Sequence, residues 1–118
     1  MVINFSELEK ITGGRNLLLS NDTYIYSLCI DSRKATDAHG TLFFAIKGDR
    51  NDGHNYVHAL YAIGVRQFVV EQPVADLNLL EGSNIIVVPS SVEALQKLAA
   101  RRRSRFSIPI VGVTGSNG

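Results

Sequence analysis

The chain has 118 residues, 45% of them hydrophobic and 19% charged, enough for one domain with a real core and too few for two. A formal net charge of +1 gives no global reason to choose nucleic acid or an anionic membrane as partner. No segment approaches the ~18 apolar residues that span a bilayer, and "MVINFSELEK" has neither the basic start nor the apolar core of a secretory signal, so the expectation is a soluble cytoplasmic protein.

In chain order, "NFSELEKITGG" predicts a short helix with Phe5, Leu8 and Ile11 on one face, capped by Asn4 or Ser6 and ended by Gly13 and Gly14. "TYIYSLCI" (Thr23–Ile30) is β-branched and aromatic and reads as a strand. Its Cys29 is the single cysteine, with no disulfide partner or CxxC pair, and reads as a small buried hydrophobe. "TLFFAI" (Thr41–Ile46) predicts a strand buried on both faces. A polar loop, "KGDRNDGHN", follows. "YVHALYAIG" then reads as a helix with Val57, Leu60 and Tyr61 on its apolar face and Gly64 as its stop. "RQFVV" and "NIIVV" read as strands around a short helix or turn, "VADLNLL". "SSVEALQKLAARRRSRF" is the longest helix, capped by Ser90 or Ser91 and burying Val92, Leu95, Leu98 and Ala99. Pro109 opens a last strand, "IVGV". The alternation predicts an α/β domain, a compact mixed sheet with flanking helices and parallel pairings, over residues 1–106. Residues 107–118 are expected to begin a second domain.

Four stretches carry polar chemistry. In "IDSRK", at the carboxyl end of the first strong strand, Asp31 accepts, Ser32 donates and accepts, and Arg33 offers a planar fork for phosphate or carboxylate. The same triplet also fits a polar turn in which Asp31 and Arg33 bond each other. In "KGDRNDGHN", Lys47, Asp49, Arg50, Asn51, Asp52, His54 and Asn55 crowd a loop suited to a nucleotide, and Gly48 and Gly53 permit close backbone approach or positive φ. No metal-ligand spacing is present, and His54, lacking a nucleophile or oxyanion partner, suits a positioning role better than general-base work. His39 and His58 read as exposed or helix-face residues. "RRRSR" (Arg101–Arg105) is a basic run at the negative end of a helix, where it reads as a solvated helix end. In the final stretch, Thr114, Gly115, Ser116, Asn117 and Gly118 follow an apolar strand, as in the opening of a phosphate-binding loop, or form an ordinary turn.

Taken in order, Asp31-Ser32-Arg33, "LFFAIKG" (Leu42–Gly48), "DGHNYV" (Asp52–Val57), "ALYAIGVRQFVV" (Ala59–Val70) and "GVTGSNG" (Gly112–Gly118) resemble the ATP-dependent Mur ligases of bacterial peptidoglycan synthesis. The resemblance covers nearly everything from Asp31 onward. It implies an N-terminal domain that holds a UDP-sugar, followed by an ATPase domain and a domain receiving the amino acid or dipeptide. Within the family, "KGDRNDGHNYV" is most similar to the branch that joins D-alanyl-D-alanine to UDP-N-acetylmuramoyl-tripeptide, some of whose members are fused to an alanine racemase. The tripeptide-forming branch is the nearest rival. By resemblance, Ser32, Arg33 and the loop Lys47–His54 hold the UDP end, and Thr114–Gly118 begin the ATP phosphate site. ATP and Mg2+ are the implied cofactors of the complete ligase. The lysine and threonine that complete such a loop are not in this chain, so by itself it is expected to be catalytically inactive. The rival classes are a nucleotide-binding or protein-interaction module without enzymatic activity and, less favoured, a nucleic-acid binder using Arg101–Arg105.

Overall fold

The structure, a computed structural model, describes residues 3–34, 40–105 and 110–111, with the side chains of 102–105 and 110–111 excepted. In chain order the elements are β1 (Ile3–Asn4), α1 (Leu8–Thr12), β2 (Arg15–Leu19), β3 (Tyr24–Ile25), β4 (Ser27–Cys29), β5 (Thr41–Phe44), α2 (Val57–Ala62), β6 (Gln67–Val70), β7 (Asn84–Val87), α3 (Ser91–Arg105) and β8 (Ile110–Val111). Single 3-10 turns lie at Phe5–Glu7, Ser32–Lys34, Gly53–Tyr56 and Leu77–Leu80.

A six-stranded sheet runs in the order β2-β7-β6-β5-β4-β8, parallel throughout except for the antiparallel β2 at one edge. β1 and β3 form a separate antiparallel pair, with Ile3 opposite Ile25. Apolar runs with no polar alternation are what a sheet covered on both faces requires. All four residues of β5 and of β6 are accordingly buried. Alternate side chains sort into two cores. Leu28, Leu42, Phe44, Val69 and Ile86 meet Phe5, Leu8, Ala94 and Leu98, the layer of α1 and α3. Cys29, Phe43, Phe68, Val70 and Ile85 meet Val57, Leu60 and Leu80, the layer of α2 and the Leu77–Leu80 turn. The result is a three-layer helix–sheet–helix sandwich, the fold class that the alternating pattern predicts.

Local chemistry explains the element ends. Ahead of α1, the Glu7 carboxylate accepts the Asn4 backbone N–H at 3.0 Å. Gly13, at φ 77°, turns the chain out of the helix. Ser90 caps α3 by accepting the Glu93 N–H at 3.2 Å. Three sequence expectations need correction. Thr23–Ile30 is not one strand: Tyr26 and Ser27 donate their N–H groups to the Gly40 carbonyl, and the chain switches there from the small pair to the main sheet. Val92 is 43% exposed, because the buried stripe of α3 runs through Ser91, Ala94 and Leu98 and Val92 sits about 100° around from Ser91. β2 has no counterpart in the sequence reading. A register shift between Asn16 and Leu18 breaks its alternation and packs Leu17 and Leu18 against the same core.

The loop between β2 and β3 is fastened by buried amides. Asn84 Oδ1 accepts the N–H groups of Ser20 (2.8 Å) and Asn21 (3.2 Å), and its Nδ2 donates to the Asn21 carbonyl and to Thr23 Oγ1. Gln67 accepts from Thr23 Oγ1 at 2.8 Å and donates to the Tyr24 carbonyl. Pro109, His39 and the Thr114–Gly118 loop lie outside the described residues, as do the side chains of the basic run beyond Arg101.

Candidate functional site

β4 and β5 are adjacent parallel strands, and the chain leaves both at the same end of the sheet. Their two exits enclose a cavity of about 550 Å3, lined by Ile30, Asp31, Ser32, Arg33, Phe43, Ile46, Asn51, Gly53 and Tyr56. That volume suits one small organic ligand, and carboxyl strand ends are where open α/β sheets bind theirs.

One wall comes from the β4 exit. Asp31 folds the next residues into a tight turn. Its Oδ1 accepts the Arg33 backbone N–H at 3.0 Å and Arg33 Nε at 3.1 Å, while Oδ2 accepts Nη2 at 3.0 Å. Hydrogen bonds from the Arg33 side chain, then from its backbone, hold the Asp31 carboxyl below the usual carboxylate range. The Arg33 side chain is nevertheless 86% exposed, so solvent screens the pair and it contributes little to stability. Its consequence is geometric: the guanidinium is held at the pocket edge with the outer part of its fork open to an anion.

The facing wall comes from the β5 exit. Residues 47–52 form a miniature hairpin, with Lys47 bridged to Asp52 and the Gly48 N–H donating to the Asn51 carbonyl at 2.7 Å. Asn51 lies on the pocket side, whereas Lys47, Gly48, Asp49 and Arg50 are exposed on the hairpin and do not line the cavity. Neither Gly48 nor Gly53 has positive φ, contrary to one of the two uses the sequence suggested for them. Gly53 serves the other use, but toward its own fold. A Cβ there would lie 2.7 Å from the Ile46 nitrogen and 2.9 Å from the Ala45 Cα. The absence of a side chain lets its N–H reach the Ile46 carbonyl at 2.9 Å.

His54 does not line the cavity. Its Nδ1 lies 2.6 Å from Asp52 Oδ1, and its Nε2 lies 2.9 Å from the Glu71 backbone nitrogen. Asp52 Oδ1 also accepts the His54 backbone N–H at 3.0 Å. The hydrogen bonds from the His54 ring and backbone lower the Asp52 pKa.

The structure thus brings Ser32, Arg33, Asn51 and Gly53 together around one cavity and places Lys47–Arg50, Asp52 and His54 around its supporting loop. Sequence reasoning missed Tyr56 and the apolar floor of Ile30, Phe43 and Ile46. Tyr56 is 36% exposed, and its hydroxyl approaches Asn51 Oδ1 at 3.4 Å. An aromatic residue directly after the polar loop was the signal the sequence carried. Cys29, beneath the β4 exit, is buried, and burial pushes its thiol pKa up. The site offers an apolar floor, an aromatic wall, neutral hydrogen-bonding groups and one cation at the rim. Among the described lining residues the only carboxylate, Asp31, is engaged by Arg33. No three His, Cys, Asp or Glu side chains cluster to hold a metal among the described residues.

Comparison with known proteins fits this architecture. The family described as "Mur ligase family, catalytic domain" matches residues 24–103. A UDP-N-acetylmuramoyl-tripeptide–D-alanyl-D-alanine ligase from Synechocystis is 38% identical over 85% of this chain and 21% of the relative. A UDP-N-acetylmuramoyl-L-alanyl-D-glutamate–2,6-diaminopimelate ligase from Clostridioides difficile is 33% identical over 99% of this chain and 22% of the relative. Among solved structures, MurF from Acinetobacter baumannii superposes with a TM-score of 0.73 at 30% identity, over 89% of this chain and 22% of that one. The chain spans about a fifth of the length of the curated relatives it matches. With the motifs, the three-layer fold and the family match over most of its length in agreement, the chain belongs to the Mur ligase family.

Proposed function

We propose that residues 1–106 are the UDP-sugar-binding N-terminal domain of an ATP-dependent ligase that joins D-alanyl-D-alanine to UDP-N-acetylmuramoyl-tripeptide, and that residues 107–118 begin the following ATPase domain. The observation that carries this reading is the cavity at the β4 and β5 exits, whose lining contains Ser32, Arg33, Asn51 and Gly53 from the two motif segments. In this assignment the uracil base lies over Ile30, Phe43 and Ile46 beside Tyr56. Ser32 and Asn51 bond the base edge or ribose, and Arg33 takes the diphosphate. Lys47 at the base of the hairpin and Asp49 and Arg50 at its tip lie outside the cavity and would meet only the part of the ligand that extends beyond it. The cytoplasm, where nucleotide-linked precursors are made, is the proposed location.

ATP and Mg2+ are proposed cofactors of the complete ligase; when bound, they supply the phosphoryl transfer that activates the substrate carboxylate for attack by the incoming amine. Thr114–Gly118, assigned to their phosphate site, lie outside the described residues. The task of the described residues is to hold and orient the nucleotide end of the substrate.

Titration of the 15N-labelled chain with UDP tests the pocket. Shifts are expected at Ser32, Arg33, Asn51, Gly53 and Tyr56, and shifts confined to other regions refute the assignment. Because diaminopimelate ligases match nearly the whole chain as well, a ligase assay on the full-length protein decides the branch. Consumption of D-alanyl-D-alanine supports the reading, and consumption of diaminopimelate instead replaces it.

A further inference from the structure

Besides the Gly53 backbone bond to Ile46, one buried side chain ties the loop wall of the pocket to the end of β6. His54 is the second residue of the 3-10 turn Gly53–Tyr56, which supplies Gly53 and Tyr56 to the cavity and directly follows Asn51. Its side chain is only 9% exposed, and both ring nitrogens are engaged. The Glu71 amide can only donate, so Nε2 must present a lone pair to it. The ring proton of neutral His54 therefore sits on Nδ1, where Asp52 Oδ1 at 2.6 Å accepts it. An imidazole with both nitrogens committed in this way has no group left for a ligand.

Glu71 continues the connection. It follows β6, whose last residue, Val70, accepts the Val88 N–H at 2.8 Å, and its own carboxylate accepts the Ser91 N–H at the start of α3 at 2.7 Å. The chain of contacts runs from the pocket loop through Asp52, His54 and the Glu71 amide to the first turn of the longest helix.

We propose that His54 is a positioning residue rather than a substrate ligand: as the neutral Nδ1–H tautomer it clamps the Asn51–Tyr56 wall of the pocket to the end of β6, and Glu71 anchors that strand end to α3. The proposal rests on the nucleotide reading of the cavity and assigns the internal support of that site.

The test combines a spectroscopic and a binding measurement on this chain. Long-range 1H–15N spectra at neutral pH are expected to show His54 protonated on Nδ1 and unprotonated on Nε2, unchanged at saturating UDP. Protonation on Nε2, or a change in either ring nitrogen's protonation on adding UDP, overturns the proposal. In UDP titrations, His54→Ala is expected to weaken binding roughly tenfold by releasing two buried hydrogen bonds. His54→Gln keeps an acceptor within reach of the Glu71 amide and is expected to recover affinity to within about threefold of the parent. The Gln variant and the parent spectra decide the matter even if His54→Ala does not fold. UDP binding in the parent with undiminished affinity in His54→Gln and His54→Ala overturns the clamp and leaves the nucleotide reading standing. Absence of any UDP shift in the parent, with the Nδ1–H tautomer present, overturns the nucleotide reading and the role assigned to His54 in it.

Discussion

Replacing Gly53 by alanine separates packing from backbone freedom as the reason for a glycine in the pocket loop. The added Cβ would sit 2.7 Å from the Ile46 nitrogen, 2.9 Å from the Ala45 Cα and 3.2 Å from the Ala45 carbonyl carbon. Comfortable contacts of this kind lie near 3.5–4.0 Å, so the overlap is roughly 0.5–1 Å. All three atoms belong to the backbone leaving β5 and cannot rotate away. Gly53 does not have positive φ, so removing unfolded-state freedom would by itself favour alanine by about 0.4–1 kcal/mol. Overpacking of about 2 kcal/mol, the middle of its usual range, opposes it and wins, leaving a net loss of about 1–2 kcal/mol. For a chain of this size that lowers the thermal midpoint by roughly 4–8 °C. Gly48 is the internal control: its added Cβ would meet only the Asn51 carbonyl oxygen, at 3.6 Å, and Gly48→Ala is expected to be neutral or slightly stabilising. The assay is thermal unfolding followed by circular dichroism, with UDP titration of each variant. Gly53→Ala should lower both the midpoint and UDP affinity. An unchanged midpoint for Gly53→Ala, or an equal loss for Gly48→Ala, refutes the steric argument.

Three further outcomes are expected. Asn84→Ala strands the Ser20 and Asn21 amides and the Asn21 carbonyl, and should cost about 2–4 kcal/mol in urea unfolding at neutral pH. Asp22, Asp31 and Asp52 are all held below the usual carboxylate range, by bonds chiefly from Ser6, Arg33 and His54 respectively. A depressed folded-state pKa means that the unfolded chain binds more protons in acid. Their contribution is therefore complete above about pH 4 and is lost as the pH falls through the lowered values, a decline that Asp22→Asn should reduce in pH-dependent urea unfolding. Cys29 should resist a thiol-specific reagent in the native chain and react at the rate of a free thiol in denaturant, since it is buried with a raised pKa; native-state labelling at the free-thiol rate would contradict its placement.

How much was legible in the sequence depended on how local the cause was. β5 and β6 could be read because both faces of each strand are covered, so unbroken apolar runs had no other good explanation. The end of α1 was legible because Gly13 acts within a single turn. β2 was not, because its bulge destroys the alternation by which a strand is recognised, and pairing with β7 decides its conformation. Val92 was misplaced because three-to-four-residue spacing fits two neighbouring stripes on the helix, and only the sheet beneath selects one.

For the site, the sequence by itself determined the polar inventory, its division between Asp31–Arg33 and the Lys47–His54 loop, and the family resemblance. It also held both readings of Asp31 and Arg33; the local ion pair is present, and it holds the guanidinium at the rim of the cavity. Tertiary structure alone decided which side each loop residue faces. Asn51 and Tyr56 turn toward the cavity, while His54, between them in sequence, turns inward to Asp52 and the Glu71 amide. The physical reason is that the Glu71 N–H, seventeen residues further along the chain, needs an acceptor when β6 is buried, and no local pattern around His54 records that need.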